Sequence, residues 1–117
     1  MTENSFHRKA RPRNRVVLTG MGAITPIGIG VPAYWEALLA GKSGAAKITA
    51  FDVTLYPTQI ACGVKNFDPS TVADKKEARR CDRALLFALG ATDEAVKSAG
   101  FDREKLNLDR CGVVIGS

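Results

Sequence analysis

Apolar residues fall in two kinds of run along this chain. In Arg15-Val-Val-Leu-Thr19 and in Cys111-Gly-Val-Val-Ile-Gly-Ser117 they stand consecutively, which suits strands covered on both faces of an α/β sheet. Gln59 to Val64 alternates instead, with Ile60, Cys62 and Val64 on one face and Gln59, Ala61 and Gly63 on the other. Two stretches keep helical spacing. Ala33 to Ala40 carries Tyr34, Trp35, Leu38 and Leu39, follows Pro32 in a first-turn position, and stops at Gly41. Ala84 to Ala99 predicts a longer helix ended by Gly100, with Leu85, Leu89, Val96 and Ala99 as its inward stripe. Its small residues Ala88, Gly90, Ala91 and Ala95 allow neighbours to approach closely. Between these elements, Gly20-Met-Gly22, Thr25 to Gly30, Gly41 to Gly44 and Asp68-Pro-Ser70 read as turns and loops.

The order strand, helix, strand, helix, strand predicts an α/β fold. Two strongly apolar strands need helices on both sides of their sheet, and two helices do not suffice, so the fold is expected to be incomplete. The chain has 117 residues, 45% hydrophobic and 25% charged, which is one globular domain's worth and argues against disorder. No apolar run reaches the ~18 residues of a membrane span, and no apolar core follows the basic N-terminus as it would in a signal peptide. Three widely spaced cysteines, Cys62, Cys81 and Cys111, do not make a disulfide framework, and reduced thiols in a cytoplasmic protein are expected.

The net charge of +5 is localised. Arg8, Lys9, Arg11, Arg13 and Arg15 face only Glu3 across the first fifteen residues, so the body is almost neutral. Residues 1–14 read as a solvated basic tail rather than a nucleic-acid-binding arm, because Phe6 alone interrupts the charges.

Several motifs fail on inspection. Gly20-x-Gly22 lacks the third small residue of a dinucleotide fingerprint, since Thr25-Pro26 stands there. Gly41-Lys42-Ser43 follows a helix rather than a strand, and Glu36 occupies the first glycine of a P-loop. The cysteines are not paired at zinc-ligand spacing, and His7 lies in the tail, so no metal site and no Cys–His nucleophilic pair is expected. Cys81 has Arg79, Arg80 and Arg83 around it but no base, and reads as a bystander. Nothing calls for a cofactor.

The basic cluster is different. Between Lys75 and Arg83, five cations stand against Glu77 and Asp82. On one continuous helix, Lys76, Arg79, Arg80 and Arg83 fall at i, i+3, i+4 and i+7 and share a face. An anion-docking surface and a solvated helix end fit this charge pattern equally well.

Arg15-Val-Val-Leu-Thr-Gly-Met-Gly-Ala-Ile-Thr-Pro-Ile-Gly28 resembles the opening of the β-ketoacyl-acyl-carrier-protein synthases, the condensing enzymes of fatty-acid synthesis. The resemblance continues through Tyr34-Trp-Glu-Ala-Leu-Leu-Ala-Gly-Lys-Ser-Gly44, Ile48-Thr-Ala-Phe-Asp52 and Val64-Lys-Asn-Phe-Asp-Pro69. It ends with Lys76-Glu-Ala-Arg-Arg80, Asp82-Arg83 and Gly112-Val-Val-Ile-Gly-Ser117. It spans residues 15–117 in order and is strongest toward the bacterial elongating synthase II.

The resemblance implies a thiolase-like α/β fold of two similar halves, of which residues 15–117 would be the incomplete N-terminal part. It also implies a homodimer and a decarboxylative Claisen condensation, in which an acyl group on a cysteine is attacked by the carbanion from malonyl-carrier protein. The family's catalytic Cys and its two His residues lie further along than residue 117. None of Cys62, Cys81, Cys111 and His7 matches them, so no catalytic residue is assigned here. One element carries over: Lys76, Arg79 and Arg80 match the family's basic patch for acyl carrier protein, with Arg83 an outer candidate by helix geometry alone. Cys81 and Ala84 depart from the Met and aromatic residue usual there. Gly30-Val31 also lacks the Asn or Asp that often caps the first helix. A non-catalytic chain-length-factor relative, a polyketide ketosynthase segment and a free-standing binding domain are the competing readings, the last opposed by the sheet edge it would leave open.

Overall fold

A computed structural model describes residues 14–116; the basic tail, apart from Asn14, and Ser117 lie outside the described residues. The chain enters as an extended segment and forms a minimal antiparallel hairpin. Strand β1 (Ile24–Thr25) pairs with β2 (Gly28–Ile29) across Pro26-Ile27, with Ile24 opposite Ile29 and Thr25 opposite Gly28. The Thr25 hydroxyl closes the turn. It donates to the Gly28 carbonyl at 2.9 Å and accepts from the Gly28 N–H at 3.0 Å. The Gly/Pro composition of this stretch marks a loop, and the side-chain lock turns it into a hairpin.

Helix α1 (Val31–Leu39) follows at once. It ends in a Schellman motif, with Gly41 N–H on the Leu38 carbonyl and Lys42 N–H on the Ala37 carbonyl, both at 3.0 Å. A second small hairpin pairs β3 (Ala46–Lys47) with β4 (Ile60–Ala61). Helix α2 (Lys75–Ala78) is one turn long, and α3 (Arg83–Ala99) is the main helix. Gly100, at φ 64°, ends α3 with the same motif as α1, through Val96 and Lys97 carbonyls. One-turn 3₁₀ helices occupy Pro69–Thr71, Arg103–Lys105 and Leu108–Arg110.

Three expectations are corrected. Residues 14–20 and 111–116 join no ladder, and Val16 and Val114 are 90% and 99% exposed. Consecutive apolar residues form a strand only when flanking strands take up their N–H and C=O groups. Among the described residues no strand reaches these segments. The 59–64 strand shrinks to Ile60–Ala61, both exposed, with one further bond from Ile48 N–H to the Gln59 carbonyl at 2.9 Å. The inward face of α3 is also rotated: Leu86 is buried, whereas Leu85 and Leu89 are more than 40% exposed.

The reason for that rotation is the row of small residues. Segment 20–22 lies against the backbone of α3, so close that a Cβ on Gly20 or Gly22 would overlap the Ala95 or Ala91 carbonyl oxygen. Ala91, Ala95 and Ala99, at i, i+4 and i+8, form the face that permits this approach. Glu94, on the same side, reaches across the sequence. Its carboxylate accepts the Ala23 N–H at 2.9 Å and the Val31 N–H at 2.7 Å. Gly30, at φ 86°, offers no side-chain cap to α1, and Glu94 supplies one from 63 residues away.

The core is thin. Ala37, Val53 and Leu86 are the buried apolar residues among those described, and Trp35 and Leu39 of α1 are 58% and 73% exposed.

Candidate functional site

The basic run does not form one helix. Asp74 opens α2 by accepting the Lys76 and Glu77 N–H groups, each at 2.8 Å. The turn persists beyond Ala78, because the Glu77 carbonyl accepts Arg80 N–H at 2.8 Å and Cys81 N–H at 3.1 Å. Then Asp82 adopts extended backbone, φ −72° and ψ 165°, and caps α3 by accepting the Leu85 N–H at 2.8 Å. Two acidic caps within nine residues thus split the cluster into two helices.

This divides the candidate residues. Lys76, Arg79 and Arg80 stay within one continuously hydrogen-bonded turn, are exposed, and enter no ion pair among the described residues. Arg83 is separated from them by the extended Asp82 and belongs to α3. It donates through Nη2 to the Val64 carbonyl at 3.1 Å, with its Cζ 5.2 Å from the centroid of Phe87. The expectation of one continuous helix carrying all four cations is therefore corrected, and Arg83 instead fastens α3 to the segment after β4. Cys81, between the two groups, is partly buried and free.

The Val64 segment owes its path to two local features. Asn66 takes φ 59°, a conformation that Asn tolerates better than most residues. Phe67 then meets Phe87 edge-on, with ring centroids 5.1 Å apart and planes at 87°. Together with Arg83 these contacts hold the segment that carries the exposed Lys65 against the start of α3.

Two exposed carboxylates are held in loops nearby. The Thr54 hydroxyl and then the Thr54 N–H hold Asp52 below its ordinary pKa, and the Ser70 N–H and then the Ser70 hydroxyl do the same for Asp68. Cys62 and Cys111 are exposed and free. Among the described residues no three His, Cys, Asp or Glu side chains gather as metal ligands, and no helix is long and apolar enough to cross a membrane. A cavity of about 830 Å³ lies between segment 20–23, α1 and α3. It is lined by apolar and small residues with Tyr34 and Thr92, and holds neither acid nor base of carboxylate or imidazole type.

Comparison with known proteins supplies the family. The one described as "Beta-ketoacyl synthase, N-terminal domain" matches residues 13–117. The 3-oxoacyl-[acyl-carrier-protein] synthase 2 of Coxiella burnetii (strain RSA 493 / Nine Mile phase I) is 45% identical over 105 residues, 90% of this chain. That of Staphylococcus aureus (strain COL) is 48% identical over 103 residues, 88% of the chain. In both cases this chain spans 25% of the relative's length. Among solved structures, the ishigamide ketosynthase/chain length factor superposes with a TM-score of 0.66 at 38% identity, covering 77% of this chain and 22% of that one. The chain belongs to the β-ketoacyl synthase family, and its α/β architecture is the N-terminal part of the thiolase-like fold.

Proposed function

We propose that this chain is the N-terminal segment of a 3-oxoacyl-[acyl-carrier-protein] synthase of fatty-acid biosynthesis. The observation that carries this reading is 42–48% identity to 3-oxoacyl-[acyl-carrier-protein] synthases 2 from three distinct bacteria, running through nine-tenths of the chain. The reaction joins an acyl thioester to malonyl-carrier protein. Carbon dioxide leaves the malonyl group, and the resulting carbanion attacks the acyl carbonyl and expels the enzyme thiolate. The residues of this chain contribute recognition and scaffold to that reaction rather than its nucleophile or bases. A cytoplasmic homodimer is the setting this reading implies.

Within the synthase, Lys76, Arg79 and Arg80 dock the acidic acyl carrier protein, in its acyl- and malonyl-loaded forms. Three exposed cations on one turn, unpaired among the described residues, support this assignment. Their attraction is screened over the ~10 Å Debye length at 0.1 M salt. In the full-length synthase, Arg79→Glu is expected to raise KM for carrier-bound substrate more than Arg79→Ala does, because reversal adds repulsion to lost attraction. Small acyl-thioester analogues should be used almost normally. Neutralising Arg8, Lys9, Arg11 and Arg13 in the tail removes more charge and should change KM little. A tail variant that loses carrier affinity while Arg79→Glu and Arg80→Glu keep it would overturn the assignment.

The solved neighbour pairs a ketosynthase with a chain length factor, which supports a second reading: a non-catalytic partner of a true synthase. Sequencing the position of the nucleophile distinguishes the two, since a partner lacks the cysteine.

A further inference from the structure

A cleft of about 620 Å³ lies between the β3–β4 hairpin and the start of α3, within the size range of small-molecule sites. Three cations line it, Lys47 on β3, Lys65 after β4 and Arg83 on α3, and no carboxylate does. Asp52, next in sequence to the lining residue Phe51, is engaged by the N–H and the hydroxyl of Thr54. Lys47 and Lys65 are exposed and enter no ion pair among the described residues. Arg83 is already fixed. Its Nη2 donates to the Val64 carbonyl at 3.1 Å and its Cζ lies 5.2 Å from the centroid of Phe87. One cation is therefore positioned before any ligand arrives, with four of its five N–H donors to spare. Phe51 adds an exposed ring to the cleft, steadied by an edge contact with Tyr56 at a centroid distance of 6.0 Å.

Unanswered positive charge and an exposed ring in one cleft select a ligand that is multiply anionic at one end and flat at the other. A single carboxylate would leave two of the three cations without a partner. An inorganic polyphosphate would leave the ring unused. We propose that the cleft binds a nucleoside polyphosphate of the ADP class, its phosphates held by Lys47, Lys65 and Arg83 and its base stacked on Phe51. The site is independent of the carrier-docking assignment, since it uses none of Lys76, Arg79 and Arg80. Cys62 lines the same cleft, exposed and free, and marks its position chemically.

The test uses the full-length synthase in magnesium-free buffer, with ADP, adenosine and pyrophosphate as calorimetric probes. ADP should bind at least about 10-fold more tightly than either of the others. Lys47→Glu and Lys65→Glu should each raise the Kd of ADP about 5-fold. Phe51→Ala should raise Kd for ADP and leave that for pyrophosphate unchanged. Bound ADP should slow the labelling of Cys62 by N-ethylmaleimide, read on the peptide that carries it, and Lys65→Glu should weaken that protection at the same ADP concentration. Arg83 is left intact because it fastens α3. Each variant is compared with the parent by thermal melt, and any that melts early is replaced by Lys47→Gln, Lys65→Gln or Phe51→Leu. No binding of ADP at about 1 mM overturns the inference, including the case in which the rest of the synthase covers the cleft. Binding that leaves Cys62 labelling unchanged places the nucleotide elsewhere and overturns it as well. Pyrophosphate bound as tightly as ADP, with parent-like Kd for Phe51→Ala, overturns the nucleotide assignment.

Discussion

Glu94 is the residue on which the described fold turns most sharply. Its two oxygens serve the Ala23 and Val31 N–H groups, both of which lack a partner without it. Glu94→Ala should therefore destabilise the full-length protein by about 1–3 kcal/mol, the cost of orphaned donors at a helix start. Glu94→Gln keeps one acceptor and should cost less. Chemical denaturation of both variants checks the order, and equal stability of Glu94→Ala and parent would exclude the clamp. Gly22 makes the complementary point, since any Cβ there meets the Ala91 carbonyl. Asp52 and Asp68 provide a pH reading at the same scale. Both sit below the ordinary 3.8 when folded, so the loops they hold gain stability above that pH and lose it as pH falls toward the folded midpoints. Carboxyl NMR titration should place both midpoints below 3.8, and Thr54→Val should move that of Asp52 upward. The sequence shows the gap at Gly30 where a cap is usual, but not that Glu94 fills it. That bond depends on a meeting of distant segments, and no local spacing encodes it.

Among the elements, the two helices with clear stop signals are legible in the sequence. Gly41 and Gly100 both adopt positive φ and close Schellman motifs where the spacing predicts an end. The basic run misleads, because its charge periodicity continues past Asp82 while the helix does not. Asp at such a position interrupts a helix as readily as it decorates one, by accepting the N–H of the next turn. This yields a test of whether the proposed docking turn works by charge alone. Asp82→Asn removes a negative charge and retains a good cap, so carrier affinity should hold or rise. Asp82→Ala removes the same charge and the cap, and should bind the carrier more weakly than Asp82→Asn because Arg83 and the start of α3 lose their anchor. Equal Kd for the two variants would mean that the split between α2 and α3 is irrelevant to docking. Lys47 and Lys65 read as ordinary surface lysines in the sequence, and their grouping with Arg83 around one cavity arises only where Arg83 pins Val64.

At the scale of the whole molecule, the consecutive apolar runs carry a true message about covering layers and a false one about the ladder. Val16, Val17, Leu18, Val113, Val114 and Ile115 are all more than half exposed, and the three buried apolar residues among those described cannot offset the chain entropy of so long a chain. The 117 residues in isolation should self-associate and melt without a sharp transition. Sedimentation of a monomer together with a cooperative melt would contradict this. The isolated chain should also show no β-ketoacyl formation from acyl- and malonyl-carrier protein. Turnover above a no-enzyme control would contradict the proposed division of roles.

The clamp at Glu94 also has a temporal side. During synthesis the ribosome releases Val31 well before Glu94, and at about 5–20 residues per second the interval is roughly 3–13 s. Through that interval the nascent helix α1 has no acceptor for its first N–H, and a nine-residue helix is marginal in water without tertiary support. Order in residues 23–39 is therefore set from downstream. The N-terminal hairpin and α1 become stable only as α3 emerges and its carboxylate arrives.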